Sequence, residues 1–159
     1  MIIVSDSSPL ISLAILKKLD LLEQFFDEIW IPRAVSLEIA KKGKPYSKEL
    51  EKFSVNRIKE VQNELAVHLL LNELDIGEAE AVVLALENNI ADLLIDEYRG
   101  RRLAQARGLS VIGTVGVLLQ AKKKNLLREV KPELDELIRN HRRVSEKLYR
   151  KALEMAGEN

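Results

Sequence analysis

The sequence contains no cysteine, which excludes disulfides, thiolate zinc sites and cysteine nucleophiles. Its two histidines, His68 and His141, are too few for a histidine-built zinc centre. Any metal bound by this chain must be held by oxygen. There is no excess charge of either sign, with 25 Lys plus Arg against 25 Asp plus Glu, so the chain cannot draw in nucleic acid by its overall field. Contact with nucleic acid has to come from a local patch. No stretch approaches the roughly 18 uninterrupted apolar residues of a membrane span. The opening Met-Ile-Ile-Val-Ser-Asp also lacks a basic leader. The expectation is a cytoplasmic protein with no membrane partner.

What is present is a chain of 159 residues that is 47% apolar, enough for one well-buried core and too short for two ordinary domains. Residues 2–5 form an apolar run that ends in Asp6-Ser7-Ser8-Pro9, a strand delivering its end to a helix over residues 10–16. Pro9 suits a first helical turn, and Ser7 or Ser8 suits its cap. The pattern repeats with a strand over 28–31, Pro32, and a helix over 34–41 whose apolar positions are Val35, Leu37 and Ile39. Residues 41–47 read as a loop around Gly43 and Pro45. A short third strand falls within 54–61, and residues 63–74 read as a helix containing a structural His68.

Asp75-Ile76-Gly77 then opens a helix over 78–88, followed by a strand over 93–95 that ends in Asp96-Glu97. A helix over 99–107 stops at a capping Gly108, and Val111-Ile112 make a further strand. A helix over 116–124 and one last amphipathic helix through Leu134, Leu137, Ile138, Val144 and Leu148 complete the chain. A frayed tail is expected after Glu154. Strands alternating with helices indicate a doubly wound α/β fold.

In such a sheet, ligands bind beyond the carboxyl ends of the strands. Asp6 and Asp96 each follow an apolar strand, where a charge needs a partner or a metal. Glu38 and Glu78 lie on helices among apolar neighbours, although Glu78 alone would also serve a helix dipole. Four carboxylates without His or Cys suit a hard divalent cation and phosphodiester chemistry. Glu80 stands two helical positions from Glu78, about 200° around the axis, so the two cannot easily face one ion. Glu97 is a possible fifth acid.

The segments Val4-Ser5-Asp6-Ser7-Ser8-Pro9-Leu10-Ile11, Ile31-Pro32-Arg33-Ala34-Val35-Ser36-Leu37-Glu38, Gly77-Glu78-Ala79-Glu80-Ala81 and Ile95-Asp96-Glu97-Tyr98-Arg99-Gly100-Arg101 resemble the PIN-domain family, closest to its VapC-like toxin subgroup. The resemblance covers residues 1–138, with 139–159 a charged amphipathic helix and tail of the same domain. It implies a three-layer α/β/α fold with a central parallel sheet of about five strands. It also implies a metal-dependent endoribonuclease in which Asp6, Glu38, Glu78 and Asp96, with Glu97 as a further candidate, hold Mg²⁺ or Mn²⁺.

An RNA substrate, a small antitoxin protein and a homodimeric state belong to the same implication. Ser7, Ser8, Arg99, Arg101 and Arg102 are the candidate substrate contacts, with Lys122, Lys123, Lys124, Arg139, Arg142 and Arg143 weaker ones, since phosphate contacts give affinity without sequence choice. The alternative is a PIN-fold regulatory domain that binds nucleic acid or protein without catalysis. A phosphatase is disfavoured, because the Asp-x-Asp pattern of such enzymes is broken here by Ser8.

Overall fold

The computed structural model describes residues 1–41 and 43–159. The chain runs β1 (Ile2–Ser5), α1 (Ser7–Ile15), α2 (Asp20–Phe25), β2 (Glu28–Pro32), α3 (Arg33–Ile39), α4 (Ser47–Ser54), β3 (Ile58–Lys59) and α5 (Glu64–Leu70). It continues α6 (Ile76–Glu87), β4 (Asp92–Leu94), α7 (Tyr98–Ala106), β5 (Ser110–Ile112), α8 (Thr114–Lys123), α9 (Lys131–Arg139) and α10 (Glu146–Ala156). The loop expected over 41–47 includes residue 42, which lies outside the described residues.

Five strands form one sheet in the order β3-β2-β1-β4-β5, and every pairing is parallel. Alternation along a strand sends successive side chains to opposite faces. Ile3 and Leu94 accordingly join a core with Leu10, Leu13, Val35 and Leu118. Val4 and Leu93 join a second core with Val82, Leu84 and Ile95. The result is the expected three-layer α/β/α arrangement, each face of the sheet sealed by its own apolar layer.

The strand order reverses direction at β1, since β2 and β3 extend the sheet one way and β4 and β5 the other. Helices leaving β1 and β4 part on opposite sides there, and the resulting crevice is where doubly wound folds place ligands. Asp6 leaves β1 at this point and Asp96 follows β4 by two residues.

Leu37 is 66% exposed, whereas Val35 and Ile39 fall on the buried stripe of α3. Two expectations need correction. The helix expected over 63–74 ends at Leu70, and only Val67 of α5 is buried; His68 is exposed beside Leu65 and Leu69, so it is not a core histidine. The single last helix is broken into α9 and α10. Asn140 caps the first of them and His141 adopts a left-handed φ of 61°, a turn that an uninterrupted helix cannot contain.

The frayed tail is also overturned. α10 runs to Ala156 and is closed by Gly157 in the left-handed region. Burial works against the Glu158 carboxylate, but the bonds it accepts from Lys122 Nζ (2.7 Å), the Val130 amide (2.8 Å) and the Lys131 amide (2.9 Å) outweigh this and hold its pKa below the usual value. Glu158 thus caps the first turn of α9 from outside its own element. Replacing it leaves two helix-terminal amides and an ammonium without their anion, so Glu158→Ala is expected to cost roughly 2 kcal/mol. A thermal melt should show a loss of about 4–8 °C. An unchanged melt would mean that the tail is not docked.

Candidate active site

β1 ends with Ser5 opposite Leu94, and the Asp6 amide extends the ladder by donating to the Leu94 carbonyl at 2.9 Å. Asp6 is then the N-cap of α1 in extended conformation, yet its carboxylate makes no capping bond. The side chain is only 5% exposed, and among the described residues no ion pair reaches it. Burial pushes its pKa up to about 8. The Ser7 amide opposes the rise, while the charges of Glu78, Asp75 and Glu38 add to it.

Glu38 arrives from α3, brought near by Val35 and Ile39 packing beneath it. Ser7 Oγ donates to its Oε2 at 2.9 Å. Gly77, in the first turn of α6, lies against both groups: a Cβ there would stand 3.2 Å from Glu38 Oε2 and 3.4 Å from Asp6 Oδ1. The missing side chain leaves room exactly where two carboxylates meet.

Glu78 follows on the same helix and is buried. It closes a capping box with Asp75, accepting from the Asp75 amide at 3.0 Å through Oε1 while its own amide donates to Asp75 Oδ1 at 2.8 Å. Burial pushes Glu78 up to about 7, opposed by its backbone bond to Asp75 and reinforced by the charges of Asp75 and Glu97. Glu80 instead accepts from the Ala34 amide at 2.9 Å, in the first turn of α3.

Asp96 is held differently. Its Oδ1 accepts from the Thr114 amide at 2.7 Å, and its Oδ2 accepts from Thr114 Oγ1 at 2.7 Å and Ser8 Oγ at 3.2 Å. Thr114 opens α8 directly after β5, so the strand adjoining β4 supplies the clamp. Arg142, in the connection from α9 to α10, donates Nη2 to Ser8 Oγ at 2.9 Å and to the Ser8 carbonyl at 3.2 Å, and Nε to Ser12 Oγ at 3.1 Å. A strut thus runs from the C-terminal segment through Ser8 to Asp96.

The structure brings Glu38 and Glu78 each within electrostatic range of Asp6 and joins Asp96 to α1 through Ser8. Among the described residues no three acidic or histidine groups stand close enough to hold a single ion. The capping expected of Ser7 and Ser8 does not occur, since each hydroxyl is spent on a carboxylate. Arg101 donates to the Ile95 carbonyl at 3.0 Å, and Arg102 lies over the Tyr98 ring at 5.8 Å. Arg99 and Arg102 line a groove with Asn72 and Glu73 that contains none of the four acids.

The roles of Thr114 and Arg142 in holding Asp96 and Ser8 were not read from sequence, and Asp75 was read only as a helix entry. For Thr114 a signal was available, a hydroxyl residue starting a helix just after a strand. Arg142 read only as a weak phosphate contact, and its bond to Ser8 had no signal, because Ser8 lies 134 residues away in the chain.

The raised carboxyls set a pH dependence. Unfolded Asp6 and Glu78 lose their protons in the ordinary carboxylate range, near 4, whereas the folded protein retains them to about 8 and about 7. Between those limits the native state binds more protons than the unfolded state, so stability falls as pH rises. In EDTA, urea unfolding is expected to show a loss of the order of 2 kcal/mol from about pH 5 to about pH 8. Asp6→Asn should be the more stable protein at the upper end and should flatten the profile. A wild-type profile that rises over this range would contradict the burial of an uncompensated Asp6.

A family model described as a PIN domain matches residues 2–158. It extends through α10, beyond the residue 138 at which the motif resemblance was drawn. No curated protein and no solved structure matches the chain. With nearly the whole chain matched, an all-parallel five-stranded sheet and Asp6 at its switch point, the protein belongs to the PIN-domain family, whose members are generally nucleases.

Proposed function

We propose that the protein is a divalent-metal-dependent endoribonuclease that hydrolyses RNA phosphodiester bonds, with residues 139–159 part of the same catalytic domain. The observation that carries this reading is the buried, ion-pair-free Asp6 carboxylate facing Glu38 across the space left by Gly77. A buried charge of this kind is costly unless a cation balances it. The donors are all oxygen, which fits Mg²⁺ or Mn²⁺.

The lack of a three-acid cluster is compatible with Mg²⁺, which keeps several waters and is bound through one or two carboxylates plus substrate phosphate. Asp6 and Glu38 are the proposed principal ligands. Glu78 offers its Oε2, because its Oε1 is engaged by the Asp75 amide. Asp96 and the exposed Glu97 follow β4, and the charge of Glu97 reaches Glu78. When bound, the cation supplies charge neutralisation at the phosphate and a water acidic enough to act as nucleophile near neutral pH.

The remaining work falls to the chain itself. Ser7 fixes the Glu38 rotamer, and Thr114 and Ser8 fix that of Asp96, so carboxylates that repel one another keep one geometry without a cation between them. Asp6 holds a proton at neutral pH in the metal-free protein, and this proton must leave as a cation arrives.

The toxin role, with an antitoxin protein and a homodimer as partners, is a finer proposal supported by the Asp6-Ser7-Ser8-Pro9-Leu10-Ile11 and Gly77-Glu78-Ala79-Glu80-Ala81 motifs. A second reading, a catalytically silent binding domain, is favoured by one observation: Glu78 is committed to the capping box and no three acids converge.

The two readings part in a cleavage assay on structured and single-stranded RNAs with Mg²⁺, Mn²⁺ or EDTA. Cleavage should require the metal and fall by at least about 100-fold in Asp6→Asn, in line with loss of metal-assisted charge stabilisation. Asp96→Asn should also lose activity while keeping its fold. Cleavage that persists in EDTA or in Asp6→Asn would refute the metal nuclease, and no cleavage under any condition would favour the silent domain.

A further inference from the structure

The connection between α9 and α10 borders a groove of about 590 Å³ that shares Ser8, Asp96 and Thr114 with the acid site. This is within the range of about 300–1,000 Å³ usual for small-ligand sites. Leu137, Val144 and Leu148 give it apolar surface, and Tyr98, two-thirds exposed, gives it an aromatic face. Its basic side chains are His141, Arg142 and Arg143.

These three are not equivalent. Arg142 spends its donors on Ser8 and Ser12 and is part of the strut. His141 and Arg143 are exposed, and among the described residues neither side chain makes an ion pair or a hydrogen bond. The free Arg143 guanidinium and the His141 imidazole therefore stand beside an apolar and aromatic surface in a groove that also holds Asp96 and Glu97. The other arginine-lined groove, with Arg99, Arg102 and Arg107, shares Tyr98 but touches none of Asp6, Glu38, Glu78 and Asp96.

We propose that the groove between Tyr98 and the α9–α10 connection binds the nucleotide of an RNA strand that adjoins the scissile phosphate. Arg143 and His141 take the backbone phosphate, and Tyr98 and Leu148 take the base. A strand drawn towards acidic side chains needs a cation close by, and among the described residues of this groove Arg143 is the arginine left free beside Asp96. An aromatic face accepts any base by stacking, so this subsite gives affinity with little sequence choice. The inference rests on the reading that the acid site acts on RNA, but it concerns binding and can be measured without cleavage.

The test is fluorescence anisotropy of a labelled single-stranded RNA oligonucleotide in EDTA, across a salt series, with a thermal melt of each variant to confirm folding. Arg143→Ala is expected to weaken binding about tenfold and to reduce the slope of log affinity against log salt by about 0.7, the value for one phosphate contact on a single strand. Leu148→Asp should weaken it comparably, and Arg99→Ala combined with Arg102→Ala should weaken it less than Arg143→Ala alone. If the Arg99 and Arg102 pair carries the loss and Arg143→Ala changes nothing, the inference is overturned while the nuclease reading stands. Absence of any wild-type binding also overturns it. Binding that depends on Arg143 in a protein that never cleaves RNA would uphold the groove and sink the nuclease.

Discussion

A carboxylate is buried where two parallel strands part company, and the rest of the site is arranged around that unfavourable placement. Asp6 is fixed by the backbone, because its amide belongs to the β1–β4 ladder and its neighbours Val4 and Leu10 lie in the two cores. It cannot swing out to solvent without dismantling the sheet edge of the crevice. The acids facing it raise its proton affinity further, so the metal-free fold carries an electrostatic cost that only a proton or a cation relieves. The two apolar layers supply the stability that allows such a site to persist.

The neighbouring residues hold the acids apart from one another in defined positions. Ser7 and Ser8 are adjacent in sequence, and about 100° of helical rotation separates them. One hydroxyl therefore reaches Glu38 on α3 and the other reaches Asp96 beyond β4. Pro9, buried in the first turn of α1, needs no amide partner at that position, which lets this crowded turn form. The same turn is reached from the far end of the chain by Arg142, so the break between α9 and α10 has a purpose in the fold: it delivers a guanidinium to Ser8 and leaves Arg143 and His141 facing the groove.

Much of this was legible in the sequence, because it depended on local signals. Short apolar strands ending in Asp6 and near Asp96, Gly108 at a helix end, and the alternation of strand and helix all followed from periodicity and turn chemistry, and the structure has them. What stayed hidden depended on distant partners. Leu134 to Leu148 reads as one amphipathic helix until Arg142 is seen to be claimed by Ser8 and Ser12. A tail rich in charge reads as frayed until Glu158 is seen to cap α9. His68 was misplaced because an apolar neighbour in sequence does not tell which side of a helix is turned to the core.

The central claim is that Asp6 exchanges a proton for a divalent cation. Isothermal titration of Mn²⁺ into the metal-free protein near pH 7, repeated in buffers of different ionisation enthalpy, measures this directly through the protons released per ion. With the Asp6 carboxyl pushed up to about 8 and Glu78 to about 7, binding should release between one and two protons, and Asp6→Asn should remove about one of them and most of the binding. Mn²⁺ that binds without releasing a proton, or binds Asp6→Asn as well as it binds the wild type, would contradict the claim.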